Sequence, residues 1–230
     1  MSTAATETTT RRARPAVVVL ISGSGSNLQA LIDAAAQPSG PLAHADLTLV
    51  VSNRAAAYGL QRAAAAGIPT LVPTPSLKAF KDAGKTRADY DTHLADAILT
   101  HPSLGGSSPD LIVLAGWMHI LSAEWLARFK GTPVLNLHPA LPGQFDGAHA
   151  IERAFNSGIA TEGDRITKTG CMVHHVIPEV DKGTTVVVRE VPILESDTLA
   201  DLETRIHAVE HEIIVEGAAK VLAEAGWSRA

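Results

Sequence analysis

The chain has 230 residues, 46% hydrophobic and 19% charged, enough apolar length for one compact domain with a substantial core. A net charge of -5, with no Lys/Arg block beyond Arg11, Arg12 and Arg14, argues against an extended nucleic-acid or anionic-membrane surface and for a small-molecule partner. Cys171 is the only cysteine, which excludes an intrachain disulfide and a thiolate metal cluster, and no apolar run approaches the roughly 20 residues of a bilayer span, so a cytoplasmic protein is expected.

Residues 1–14 are rich in Ser, Thr and Arg and lack the apolar core of a secretory signal, which predicts a disordered tail ahead of a single domain over 15–230. From Ala16, A-V-V-V-L-I-S reads as a buried strand, G-S-G-S-N as a turn and L-Q-A-L-I-D-A-A-A as an amphipathic helix. The alternation continues with strands expected over 46–53, 68–72, 110–115 and 134–137, and helices over 55–66, 87–99, 122–129 and 146–156. Residues 73–86 and 158–169 read as loops. After Gly158 the pattern changes: T-G-C-M-V-H-H-V-I and T-T-V-V-V-R-E-V-P-I form an added strand pair about the turn V-D-K-G, and a long helix from Thr198 closes the domain. Thr198 with Asp201 forms a capping box at its start, and Gly226 stops it. Near-continuous Val/Leu/Ile strands separated by helices indicate a Rossmann-like α/β domain, its mostly parallel sheet covered on both faces.

Four segments of chemical interest fall at the carboxyl ends of strands, the edge where open α/β sheets bind ligands. They are Gly23–Asn27, Ser52–Arg54, Trp117–Leu121 and Asn136–His138. The first joins a buried strand to a helix, where free amides and the helix dipole suit a phosphate. A third fingerprint glycine is missing at Leu28 and no carboxylate ends the second strand, which disfavours NAD and leaves only Arg54 in favour of NADP; without G-K-[ST] it is no Walker loop. In L-N-L-H-P-A-L-P-G, Asn136 and His138 leave one face of a strand together. An amide and an imidazole suit acyl or one-carbon transfer, the amide stabilising an oxyanion and the imidazole moving the proton. His174 and His175 point to opposite faces, so at most one lines a given site. H-A-V-E-H, His207 to His211, has the H-x-x-E-H spacing of a zinc helix, but no third ligand is nominated; the preferred reading turns Glu210 to a polar substrate, with no metal.

Taken together, S-G-S-G-S-N, V-L-A-G-W-M-H-I-L-S, N-L-H-P-A-L-P-G and V-H-H-V-I-P-E-V-D-K-G resemble, in this order and spacing, the folate-dependent phosphoribosylglycinamide formyltransferases of purine synthesis, with A-L-P-G-Q-F-D-G-A-H-A-I-E-R-A most similar to fungal monofunctional members. The resemblance spans about Ala16 to Gly226. It implies transfer of a formyl group from 10-formyltetrahydrofolate, a co-substrate, to the amine of glycinamide ribonucleotide without a metal. Asn136 would hold the oxyanion, His138 would be the general acid, and Asp181 would orient His138 and raise its pKa. Gly23, Ser24, Gly25, Ser26 and Asn27 would hold the phosphate, with Glu210 and His207 at the glycinamide end. The folate would meet Arg87, Met118, His119, Ile120, Leu121, Asn136 and the turn Ile177, Pro178, Glu179, Val180 and Asp181. Departures are local: the second leucine of S-L-L-P is missing, D-K-G replaces D-G-G, and His119 stands where arginine is common.

Three rivals share parts of this pattern. Formyltetrahydrofolate hydrolase has the same Asn, His and Asp but carries an extra N-terminal domain, whereas some 15 residues precede the first strand here. Methionyl-tRNA formyltransferase adds a C-terminal RNA-binding domain. A non-catalytic phosphate-binding module would leave Asn136, His138 and Asp181 without a shared purpose. The residues leave monomer and homodimer equally open.

Overall fold

In a computed structural model, which describes residues 12–159 and 165–227, six successive apolar residues form the central strand β1 (Ala16–Ile21), and all six are buried. Their alternation divides the core in two. Val17, Val19 and Ile21 face one apolar cluster, shared with Leu28 and Leu31 of α1 (Ser26–Ala36) and with Ile213, Ala218 and Leu222 of α7 (Leu199–Glu224). Ala16, Val18 and Leu20 face the other, shared with Tyr90 and Leu94 of α4 (Arg87–Leu99) and Trp125 of α5 (Ala123–Arg128). A strand that must bury both faces has no place for polar residues along its length, so polar residues appear only beyond its end.

The seven-stranded sheet has the order β3-β2-β1-β4-β5-β6-β7. β2 (Asp46–Ser52), β3 (Thr70–Leu71), β4 (Leu111–Leu114) and β5 (Val134–His138) extend it from β1 in parallel. β6 (Lys168–His175) and β7 (Thr185–Pro192) add antiparallel pairs, so the expected mostly parallel sheet with an added strand pair is the one observed. Both helix caps of the closing element agree with the sequence. The Thr198 side chain accepts from Asp201 N, the Asp201 carboxylate accepts from Thr198 N, and Gly226, at φ 79, follows the last turn.

Several boundaries differ for local reasons. The stretch 73–86, read as a loop, contains α3 (Leu77–Asp82), which is capped by Ser76 and anchored by the buried Phe80. α2 (Gly59–Ala65) starts four residues late, and β3 is shorter than expected. α6 (Ala150–Gly158) does not begin at 146, because Phe145, Gly147 and His149 all have positive φ and cannot continue a right-handed helix. Of the expected tail 1–14, residues 1–11 lie outside the described residues, as do 160–164 of the expected loop 158–169. Within the expected tail, Arg12 and Arg14 make hydrogen bonds to the domain. Arg12 donates to Ser108 O (2.8 Å) and Leu104 O, and Arg14 to Ala43 O and Ala45 O (2.9 and 2.8 Å), because each guanidinium finds carbonyls that end nearby turns. Among the described residues no helix is long and apolar enough to cross a membrane.

Thr198→Ala removes one half of the capping box and should cost about 1 kcal/mol. Thermal unfolding should show it as a Tm lower by about 2–4 °C. An unchanged Tm would mean that packing of α7 alone fixes its start.

Candidate active site

On β5 the alternation has a chemical consequence. Leu135 and Leu137 face the α1/α7 cluster, so Asn136 and His138 emerge together on the opposite face, where a cleft of about 730 Å³ opens. The antiparallel neighbour brings a third polar group to that face. The register pairs Asn136 with His174, whose strand neighbours Cys171 and Val173 are in the apolar cluster behind. Asn136 Nδ2 lies 3.2 Å from His174 Nε2, while His174 Nδ1 meets His175 O at 2.9 Å.

The chain then turns back over this face. Val176 N donates to Val134 O, at the start of β5, and the segment that follows carries Asp181 across to the other end of the strand. Asp181 has φ 56, a left-handed conformation that costs a non-glycine residue about 1 kcal/mol or more. Two residues on, Gly183 passes so close to β6 that a Cβ would stand 1.6 Å from His175 O. The carboxylate is tied on all sides: Oδ2 accepts from Gly147 N at 2.8 Å and lies 3.4 Å from His138 Nδ1, while Oδ1 accepts from Asn136 Nδ2 at 3.4 Å and lies 3.3 Å from His174 Nε2.

These contacts set the charges. Burial pushes the Asp181 carboxyl up, but the contacts with His174, the Gly147 N–H and His138 together outweigh it, holding the group below its ordinary value and ionised. For His138, burial is the largest influence and pushes the imidazole down. Asp181 pulls it up, as the sequence implied, but less strongly, so His138 sits below the ordinary value and the expected net rise is corrected. Its Nε2 is buried with no hydrogen-bond partner. Nδ1 thus lies 3.4 Å from Asp181 Oδ2, while Nε2 of this cleft-lining residue has no protein partner.

One end of the cleft is the Gly23–Asn27 turn. Gly25, at φ 72, caps α1 without a side-chain hydrogen bond, leaving the first-turn amides for an anion. Glycine is required there, since a Cβ would lie 2.6 Å from Gly59 Cα. Beside it Asn27 Nδ2 donates to Glu210 Oε2 at 3.2 Å. Burial pushes the Glu210 carboxyl up, and Asn27 and His207 draw it partly back. The opposite end is apolar: Met118 and Ile120 are 64% and 53% exposed on one wall, and Ile177 and Val180 stand on the other. Exposed apolar side chains lining one cleft suit a flat ring system.

The cleft brings together Gly23, Ser24, Gly25, Ser26, Asn27, His207 and Glu210 at one end, Asn136, His138 and Asp181 at the centre, and Met118, His119, Ile120, Leu121, Ile177, Pro178 and Val180 at the other. Two expected folate residues do not line it. Arg87 donates to Ile120 O, and Glu179 is exposed on the outside of the turn, its carbonyl accepting from Lys182 N. Sequence reasoning left His174 undecided because its face depends on strand pairing; it also missed Ser22, whose Oγ accepts from Met118 N (3.0 Å) and donates to Asn53 Oδ1 (2.8 Å). The H-x-x-E-H residues separate: His207 and Glu210 line the cleft, whereas His211 does not, and its Nε2 is buried without a partner.

A formyl transferase family model matches residues 16–217. Phosphoribosylglycinamide formyltransferase of Schizosaccharomyces pombe is 49% identical over 213 residues, 90% of this chain and 97% of its own. The Saccharomyces cerevisiae protein of the same name is 45% identical over 216 residues, covering 90% and 96%. The crystal structure of glycinamide ribonucleotide transformylase 1 from Symbiobacterium toebii is similar with a TM-score of 0.76 and 34% identity, over 94% of this chain and 90% of that one.

The opposed influences on His138 predict its titration. Histidine NMR should place its midpoint below 6.5, and Asp181→Asn, which removes the group that favours imidazolium, should lower it further. A midpoint that stays or rises in the variant would contradict this account.

Proposed function

The chain belongs to the formyl transferase family, and from that premise we propose how its cleft works. It is a phosphoribosylglycinamide formyltransferase, which formylates the glycinamide amine of its ribonucleotide substrate in purine biosynthesis. The formyl donor is 10-formyltetrahydrofolate. The ribonucleotide phosphate sits on the amides of Gly23–Asn27, with Glu210 and His207 toward the glycinamide end, and the donor's ring system lies between the Met118/Ile120 and Ile177/Val180 walls. The formyl carbon then lies between them, beside β5.

What supports this reading is one observation: an amide, an imidazole free at Nε2 and a buried ionised carboxylate converge midway between an anion site and an apolar slot. The substrate amine supplies the nucleophile, so the protein needs none. As the amine lone pair attacks the formyl carbon, the carbonyl electrons move onto oxygen. An Asn136 Nδ2 hydrogen stabilises that oxyanion; the amide nitrogen carries two, so one can remain directed to Asp181. His138, neutral at rest because burial holds its pKa down, takes the proton that the attacking nitrogen releases. The carbonyl re-forms, the bond to the folate nitrogen breaks, and His138 Nε2 delivers the proton to that nitrogen as general acid. Asp181 holds Nδ1 throughout and stabilises the transient imidazolium.

Tetrahydrofolate should form only when both 10-formyltetrahydrofolate and glycinamide ribonucleotide are present, in buffer containing a chelator. Equal folate turnover without the amine would indicate a hydrolase, and loss of turnover to chelator would restore the metal reading of His207 and His211. Replacing His138 by Ala should lower kcat by about 10²-fold or more, with both substrates still bound. A near-normal kcat would remove His138 from the chemistry.

A further inference from the structure

The segment Met118–Leu121 belongs to no helix or strand, yet all four of its residues line the cleft. Such a segment cannot present a defined surface unless something fixes its course. Its amino end is held by Ser22, but the stronger restraints come from α4. The Asp91 side chain is fully buried, and both of its oxygens are used on this segment: Oδ1 lies 2.5 Å from His119 Nε2, and Oδ2 accepts from Ser122 N at 2.8 Å. One turn earlier, on the same face of α4, Arg87 donates to Ile120 O. The His119 ring is further boxed by the edges of Tyr90 and Trp117, with centroids 5.6 and 6.2 Å away.

We propose that Asp91 is a positioning residue for the folate side of the reaction, acting through His119 and Ser122 and assisted by Arg87. This rests on the functional reading above and goes beyond it by naming residues outside the cleft. Asp91 does not line the cavity, and Arg87 does not either. Their effect is on geometry: with one carboxylate gripping the segment at two points three residues apart, and a guanidinium holding the carbonyl between them, Met118 and Ile120 keep their apolar side chains turned to the slot. The backbone amides of Ile120 and Leu121 have no intramolecular acceptor among the described residues, which leaves them for the polar edge of a ring held against this wall. The contacts made by Asp91 and Arg87 all fall on the 118–122 side of the cleft. The glycine turn that receives the phosphate has its own supports, Gly23 O accepting from Gly59 N and Ser24 O from Arg62 Nε.

The test separates the two substrates. In Asp91→Ala the KM for 10-formyltetrahydrofolate should rise about tenfold, with the KM for glycinamide ribonucleotide within about twofold and kcat falling by less than KM rises. Asp91→Asn, which keeps one acceptor, should lie between. Arg87 is on the surface, so Arg87→Ala serves if the buried change prevents folding, and there the folate KM should rise about threefold. Titration with tetrahydrofolate, read by tryptophan fluorescence, should weaken in parallel. An unchanged folate KM in folded Asp91→Ala, or in Arg87→Ala if the former does not fold, overturns the proposal. So does an equal rise in both KM values, which a disturbance not confined to the folate side would give. If the parent protein itself does not bind tetrahydrofolate, the functional reading fails instead, before any variant is compared.

Discussion

The structure turns on keeping one carboxylate ionised where little water reaches. Asp181 is largely buried, and burial by itself pushes its carboxyl up. Three groups oppose this, His174, the Gly147 N–H and His138, and the Asn136 amide also donates to the carboxylate. Each is costly to place singly. An unpaired amide, imidazole or carboxylate in this position would lose hydration without return. Together, with only His138 Nε2 left without a protein partner, they form a polar network at the end of a strand otherwise apolar.

That requirement explains features remote from the network. β6 must run antiparallel so that His174 comes opposite Asn136, and the chain must then double back to deliver Asp181. The return forces Asp181 into a left-handed conformation and demands a glycine at 183, where no Cβ fits against His175. The loop before α6 bends through four positive-φ residues, 143, 145, 147 and 149, and thereby aims Gly147 N at the carboxylate. Strain is concentrated around the carboxylate, and the unstrained strands beside it hold the strain in place. The Lys182–Asp146 ion pair links the same loop and turn once more, on the solvent side.

A large part of this was legible in the residues. The apolar runs of β1, β4 and β5 mark buried strands because both their faces are covered, and period-two spacing alone puts Asn136 and His138 on one side. The Thr198–Asp201 capping box marks the start of α7 because it is satisfied by bonds within four residues. Less was legible where long-range packing decides. The short helix α3 depends on Phe80 reaching a core cluster built by distant segments, and the late start of α6 depends on what Gly147 must reach. Asp91 carries no motif of its own; its importance arises only because α4 packs beside the segment 118–122.

The sequence by itself determined the class of the fold and the strand ends at which a ligand would be met, because these follow from periodicity and local turn chemistry; Asp181 enters only through the family resemblance, because its turn lies far from β5 in the chain. Tertiary structure alone decided which histidine of the 174–175 pair joins the site, that Arg87 supports the wall instead of facing the cleft, and that His138 sits below its ordinary pKa despite its carboxylate partner. Each of these depends on burial or on pairing between segments distant in the chain. Desolvation is set by everything that surrounds a group, and no local spacing encodes it.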